Sequence, residues 1–394
     1  MDNNKLKIYL IAGEPSGDAL GARLMRALKK KTGNRIEFFG IGGDSMENEG
    51  MQSLFDISEL AIMGLCEVIP SIPKVLRRIS QTVADIVKTH PDAVISIDSW
   101  SFGSRVQKKL RKLNLNIPQI HYVAPQVWAW KKRRARTMNK YVDHLLTLLP
   151  QEPKYFTPYG LDTTFVGHPV IESPVVAADK QTFRRQYNID DDRKIICLLP
   201  GSRHNEVSRL MPVFLQAAQI LHRQHPELIF VVPTVKTVAG RVKNMLQSSS
   251  LPVLVVESAA DRHNAMGAAT AAIAASGTVA LELAIADVPH IIGYKVAPLT
   301  AALAKCFLHI RFVNLSNILL NREIIPELLQ DNCTAENIAG YINRFLAQDE
   351  FYQQQKAGMR EVRKVLGLGE QTPSENAADV ILQLIAKNRS AEQN

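Results

Sequence analysis

The chain has 394 residues, of which 46% are hydrophobic and 22% charged, and it carries a net charge of +9. That length calls for two or three domains, each large enough for a sizeable core, and the balance is that of a soluble globular protein. The surplus of cations fits an anionic partner: a phosphorylated ligand, an anionic membrane surface or nucleic acid. Cys66, Cys197, Cys306 and Cys333 lie far apart with no CxxC pair, which argues for reduced, buried thiols in a cytosolic protein and against a zinc or disulfide framework. The apolar stretch near the N-terminus is too short for a signal peptide. The long uncharged run over 265–281 is rich in small residues and reads as a buried strand, loop and helix rather than a membrane span.

The first element is "KIYLIAG", a buried strand, followed by the turn "EPSGD" and a helix over 19–30. Small residues at a strand end bring backbone N–H groups close to a ligand, as in phosphate-binding loops. This loop nevertheless lacks a P-loop lysine and the dinucleotide spacing, and no G-x-x-x-x-G-K-[ST] occurs in the chain. The runs "IEFFGIGG", "DAVISID", "IPQIHYVAP" and "HLLTLLP" continue the rhythm of a parallel sheet covered by helices on both faces. The rhythm breaks over 167–180, where "GHPVIESPVVAADK" reads as an interdomain connection. It restarts with "KIICLLPGSR", "LIFVVPT", "LPVLVVE", "AAIAASG" and "HIIGYKV". Beyond residue 334 only helical patterns remain. The expected organisation is α/β: two Rossmann-like domains, 1–170 and 171–345, facing a cleft, and a helical tail over 346–394 that packs back on the first domain or swaps into a neighbour. Parallel sheets bind ligands beyond the carboxyl ends of their strands, so the loops after strands are the candidates.

In the second domain, Gly201, Ser202 and Arg203 of "LLPGSRHNEV" follow a strand. A guanidinium offers paired donors to a diphosphate, although Arg203 can also pair with Glu206 three residues on. In "AASGTVALELA" a strand ends at Ser276-Gly277 and a helix starts at Thr278, where free N–H groups favour an anion. Glu282, one turn in, can accept ribose hydroxyls. Asn317 falls in an expected loop. In the first domain Asp98 ends the strand "AVISID" and is a general-base candidate. Trp128 and Trp130 precede the cations Lys131, Lys132, Arg133 and Arg134, a solvated helix face or an anion-binding surface. The stretch 59–80, with Met63, Val68 and Ile69, is a core connection or an apolar lip for an acyl chain.

Seven stretches together resemble one family, lipid-A-disaccharide synthase: "AGEPSGDALGARLMRAL", "FGIGGDSM", "LAIMGLCEV", "HYVAPQVWAWKKRR", "LLPGSRHNEV", "AASGTVALE" and "VNLSNILLNREIIPELLQ". They run in order from about residue 7 to about residue 330, with "PGSR" and "SGT…E" shared more widely among UDP-sugar enzymes. The resemblance implies the GT-B fold and transfer of the sugar of UDP-2,3-diacylglucosamine to 2,3-diacylglucosamine 1-phosphate (lipid X). A β(1→6) bond forms with inversion, and UDP leaves. It implies no metal or other cofactor, a place on the cytoplasmic face of the inner membrane of a Gram-negative bacterium, and a homodimer as one assembly open to the chain. On this reading Asp98 is the base and Arg203 a catalytic cation. Gly201, Ser202, Arg203, Glu206, Ser276, Gly277, Thr278, Glu282 and Asn317 bind UDP. Glu14, Ser16, Gly17, His121 and Gln126 hold the sugar or acceptor, with Asp18 capping the first helix. Met63, Val68, Ile69, Trp128, Trp130 and Lys131 to Arg134 touch lipid. Two positions depart from the family pattern: Trp100-Ser101-Phe102-Gly103 stands where "PDFN" is usual, and Asp44 where proline is common. The rival readings are another GT-B enzyme of UDP-N-acetylglucosamine, either a transferase or a 2-epimerase, and a basic nucleic-acid-binding protein. For the latter no recognisable motif occurs.

Overall fold

The computed structural model describes residues 5–61, 68–125, 133–247, 249, 251–296 and 311–393. The chain divides into two compact units, Met1–Pro169 with Gln371–Asn394, and Val170–Glu370.

In the first unit, β1 (Leu6–Ala12), β2 (Ile36–Ile41), β3 (Ala93–Ile97), β4 (Gln119–Tyr122), β5 (His144–Thr147) and β6 (Asp162–Phe165) form one parallel sheet in the order β2-β1-β3-β4-β5-β6. Successive strand side chains point to opposite faces, so an apolar run buried on both sides feeds two cores. Ile8, Leu10, Ala12, Ile95 and Ile97 pack on one face with Leu24, Met25 and Leu28 of α1 (Pro15–Thr32). Tyr9, Ile11 and Val94 pack on the other. Their partners are α4 (Val68–Thr89) and α5 (Trp100–Lys112), through Ile79, Ile86, Phe102, Val106 and Leu110. Between α1 and α4 lie α2 (Asp44–Asn48) and α3 (Ser58–Ala61). Asp18 does not cap its own helix, as the sequence suggested. Its carboxylate accepts the N–H groups of Gly43, Ser45 and Met46 at 2.8, 3.0 and 3.1 Å, and so caps α2. The short α6 (Arg133–Met138) precedes β5.

The second unit holds a parallel sheet of β7 (Ile195–Leu199), β8 (Ile229–Pro233), β9 (Val253–Val256), β10 (Ala271–Ala275), β11 (His290–Tyr294) and β12 (Glu327–Leu329). Their order is β12-β11-β10-β7-β8-β9. Its crossover helices are α8 (His204–Gln224), α9 (Lys236–Leu246), α10 (Ala259–Ala268) and α11 (Thr278–Ile285), preceded by α7 (Lys180–Gln186).

The sequence treats everything after residue 346 as one tail, and the structure divides it. The helix Glu350–Val365 belongs to the second unit. Gln355 brackets the backbone N–H and C=O of His290 at 3.0 and 2.9 Å, Lys356 pairs with Asp287, and Met359 and Val362 enter the core. The helix Pro373–Gln393 belongs to the first unit. It packs Ala377, Ala378, Ile381 and Ile385 beside α1. Lys30–Glu375, Lys31–Asp379 and Arg389–Asp92 pairs at 2.7, 2.6 and 2.7 Å fix its register. Burial of each large aliphatic side chain is worth about 1.5–3 kcal/mol, which outweighs those exposed ion pairs.

Candidate functional site

Both sheets contain a point where consecutive connections run in opposite directions. In the first sheet the chain goes from β1 to β2 on one side, and β3 then pairs with the other side of β1. In the second it goes from β7 to β8 and β9, and β10 then pairs with the free side of β7. Loops leaving the carboxyl ends of the two central strands diverge at such a point and leave room for a ligand. The four loops concerned follow β1, β3, β7 and β10, and they carry most of the sequence candidates.

In the first unit the β1 loop lies tightly against the β3 loop. A side chain on Gly13 would overlap Ser99 Cβ at 2.6 Å, and one on Gly17 would meet the Ile97 carbonyl at 3.1 Å. With Pro15 in the first helical turn and Glu14 at the N-cap, the loop turns Ser16 toward β3. Ser16 Oγ donates to Asp98 Oδ2 at 2.6 Å, the length of a charge-assisted bond. Ser16 and Glu14 are exposed, Asp98 is half-buried and Gly17 is buried. Asp98 has φ +59° and its N–H is bonded to the Tyr122 carbonyl at 2.9 Å. Left-handed backbone costs about 1–2 kcal/mol for a residue with a Cβ, so the fold spends stability to aim this carboxylate out of the strand. At the neighbouring end of β4, Val123 has φ +84°, which is more strained for a β-branched side chain.

His121 does not join this group as a ligand. It is fully buried, its Nδ1 shares a 2.6 Å hydrogen bond with Ser96 Oγ, and the Trp100 ring stands edge-on over it at 4.9 Å. Burial holds its imidazole neutral, with a pKa pushed down to about 3. Trp100 and Phe102, two of the residues that depart from the family pattern, are thus spent on packing, Phe102 against Phe55. Gln126, Met63, Trp128, Trp130, Lys131 and Lys132 lie outside the described residues. Val68, Ile69 and Arg133 lie in helices whose backbone alone is described there, and Arg134 is half-buried. Within α4, Lys74 and Arg77 are exposed and Leu76 is 51% exposed. Among the described residues no helix is long and apolar enough to cross a membrane.

In the second unit the β7 loop is organised by Glu206. Its Oε2 accepts the N–H groups of Ser202 and Arg203 at 3.1 and 3.3 Å, and its Oε1 takes the Arg203 guanidinium at 2.8 Å. Gly201 has φ +109°. Glu206 therefore shapes the loop from the start of α8, and Arg203, with 81% of its side chain exposed, presents its charge to solvent. At the β10 loop, Gly277 has φ +152°, and the space where a side chain would stand is empty for 4 Å. It is the N-cap of α11 and brings no side-chain bond to that helix start, while Thr278 is exposed. The first N–H groups of α11 and its positive dipole end point at open space, which suits an anion. Ser276 Oγ is bonded to the Val313 carbonyl at 3.4 Å. Glu282 lies half-buried one turn into α11, and its Oε1 accepts from Ser173 Oγ at 2.8 Å.

Asn317 departs from its expected place. It lies in the helix Leu315–Leu320, not a loop, and is fully buried. Its Nδ2 donates to the Ile325 carbonyl and to Glu327, both at 2.8 Å, and its Oδ1 accepts the N–H groups of Ile324 and Ile325 at 2.8 and 2.9 Å. Every amide bond it can make is spent inside the protein, so it supports the loop wall and offers no polar atom outward. The sequence reading missed Ser173 and Glu327. A lone acid in the apolar run "IIPELLQ" is a signal of a carboxylate with buried partners. No such sign marks Ser173. Among the described residues no cluster of three or more His, Cys, Asp or Glu could hold a metal ion.

The sequence matches the family described as lipid-A-disaccharide synthetase over residues 8–381. It is 48% identical to the lipid-A-disaccharide synthase of Paramagnetospirillum magneticum over 97% of this chain and 98% of that protein. It is 47% identical to that of Rhodospirillum centenum over 98% and 97%. Among solved structures it is similar to a UDP-N-acetylglucosamine 2-epimerase, so described, from Listeria monocytogenes, with TM-score 0.65 and 16% identity over 98% of this chain and 97% of that one. Acinetobacter baumannii MurG follows with TM-score 0.56 and 13% identity over 96% and 99%. These two likenesses show a GT-B-like fold. The full-length sequence match decides the rest: the chain belongs to the lipid-A-disaccharide synthetase family, and it is a glycosyltransferase of lipid A biosynthesis.

Proposed function

We propose that the chain transfers the sugar of UDP-2,3-diacylglucosamine to the 6-hydroxyl of 2,3-diacylglucosamine 1-phosphate. The observation that carries the residue assignment is the Ser16–Asp98 contact at the switch point of the first sheet. It supplies an aimed carboxylate, held by one hydroxyl, with its backbone strained into place.

Asp98 accepts the proton of the acceptor 6-hydroxyl as the oxygen attacks the anomeric carbon. The bond from that carbon to the diphosphate breaks, and UDP leaves with the electron pair. One displacement inverts the anomeric centre and gives the β(1→6) linkage. The proton then passes from Asp98 to water. Arg203 exchanges Glu206 for the diphosphate as charge builds there, and the first N–H groups of α11 at Gly277-Thr278 meet the same charge. Glu282, held by Ser173, receives ribose hydroxyls. Glu14 and Gly17 line the acceptor side. In this scheme the protein's own cations and N–H groups neutralise the leaving group.

Substrates with long acyl chains reside in a bilayer, so the enzyme works as a peripheral protein on an anionic inner-membrane surface. Lys74, Leu76 and Arg77 on α4 support that contact, since each cation near anionic lipid gains about 1 kcal/mol. Transfer of labelled sugar to lipid X by the purified chain tests the reaction. Equal transfer to water-soluble N-acetylglucosamine acceptors, or epimerisation of UDP-N-acetylglucosamine, overturns it.

A further inference from the structure

The segment 313–317 of the second unit carries polar groups that the scheme above leaves unused. It reaches from β10 to β12, the two neighbours of β11. On the β10 side, Ser276 Oγ donates to the Val313 carbonyl at 3.4 Å. On the β12 side, one carboxylate holds three groups: Glu327 Oε2 accepts the N–H of Val313 at 2.9 Å, and Oε1 accepts the N–H of Asn314 at 2.9 Å and Asn317 Nδ2 at 2.8 Å. The segment therefore lies beside the Ser276-Gly277 loop, at the carboxyl edge where parallel sheets take ligands.

Two polar side chains in it are nine-tenths buried without a matching partner. Asn314 is 1% exposed and Ser316 is 0% exposed. Asn314 Oδ1 accepts the Ser316 N–H at 2.7 Å, but among the described residues Asn314 Nδ2 and Ser316 Oγ have no hydrogen-bond partner. A buried donor left unmet is costly, and a fold retains one where something else meets it. Asn314 Nδ2 is a donor only, so its missing partner is an acceptor oxygen.

We propose that Asn314 Nδ2, seconded by Ser316 Oγ, is a binding group for an acceptor oxygen of the uridine half of the donor, and that Glu327 is the positioning residue that holds it there. The inference rests on the reading that UDP binds the second unit. The diphosphate already has Arg203 and the start of α11, and the ribose hydroxyls have Glu282, which leaves the uracil carbonyl oxygens as the part of UDP still in want of donors.

Calorimetric titration of the full chain with UDP tests it. Asn314→Asp keeps the cap oxygen and the shape but loses the donor, and it is expected to weaken UDP binding about tenfold, the scale of a lost buried hydrogen bond. Asn314→Ser keeps both a cap oxygen and a hydroxyl donor and is expected to stay within about threefold of the unaltered chain. Glu327→Gln is expected to raise KM for the UDP-sugar with kcat held within about twofold, the mark of lost uniform binding. Unchanged UDP affinity in Asn314→Asp overturns the proposal. So does an equal loss in the Asp and Ser variants with a lowered melting temperature, which is the mark of a structural cap alone. Failure of the unaltered chain to bind UDP overturns the parent reading with it.

Discussion

The Ser16–Asp98 edge of the first sheet and the Arg203–Gly277 edge of the second stand at equivalent switch points of two parallel sheets, yet they are prepared differently. The first is closed on itself. Its carboxylate is already hydrogen-bonded, half-buried, and set on a left-handed residue between tightly packed loops. The second is open, with Arg203 mostly exposed, no side-chain cap on α11 and empty space beside Gly277. A proton acceptor must be aimed before substrate arrives, because its contribution depends on geometry within hydrogen-bond reach. A group that meets a diphosphate can wait in solvent, because the ligand brings the opposite charge and completes the site.

This contrast is broken most sharply at Asp98. Asp98→Gly removes the proposed base and also relieves the left-handed strain. Turnover is expected to fall by about 10²–10⁴-fold while the melting temperature stays level or rises. A matching fall in both would show the residue to be structural. Arg203→Ala is expected to lower turnover by about 10²–10³-fold with no loss of melting temperature, since 81% of the side chain is exposed and its ion pair with Glu206 lies at the surface. If Arg203→Ala melts much earlier, the open edge is a structural clasp and the contrast fails. Ser16→Ala is expected to cost about 10–100-fold in kcat, the range of a hydrogen bond to a charged group, with UDP affinity unchanged. A change in UDP affinity instead would assign Ser16 to donor binding and not to the support of Asp98.

Much of this was legible in the sequence for a physical reason. Strands buried on both faces read as unbroken apolar runs, and the loops that matter begin where such a run meets Gly or Ser. That is how the loops after β1, β7 and β10, and Asp98 at the end of β3, stand out. What was hidden is long-range. Asp18 reaches a helix start 25 residues on, and no local pattern says that it will serve α2 rather than α1. Asn317 finds its partners across a turn at Ile324 to Glu327, so its place in a helix and the use of all its amide bonds have no periodic sign. His121 alternates along a strand buried on both faces, and alternation there does not tell a ligand from a packed ring. A helical tail packing back on the first domain was one of the two expected outcomes, and Pro373–Gln393 does so against α1. Its division, with Glu350–Val365 kept in the second unit by contacts at His290 and Asp287, has no sign in a run of helical residues.

The smallest expected effect is on stability against pH, and it too separates the units. His121, His144 and His168 in the first unit and His290 in the second all have imidazoles held below the ordinary value of 6.5, each chiefly by burial. For His168 and His290 the pKa falls to about 4. As pH drops through 6.5 the unfolded chain takes up protons that the folded chain refuses, so stability is present above 6.5 and lost toward 4. Glu152, in the first unit, runs the other way. Burial pushes its carboxyl up to about 7 despite the N–H groups of Leu148 and Leu149 at 3.0 Å. Its contribution is present at low pH and lost as pH rises through 7, so acidification strengthens it and offsets part of the histidine loss. With three depressed histidines against one raised carboxyl, the first unit is expected to loosen first. An acid-active protease at pH 5 should make its earliest cuts within 5–165 rather than 195–365, read from fragment masses. Glu152→Gln removes the offset, so its loss of stability between pH 7 and pH 5 should be steeper than that of the unaltered chain. Earliest cuts in the second unit, or an unchanged slope in Glu152→Gln, would mean that other groups set the acid response and that the buried imidazoles do not distinguish the two halves.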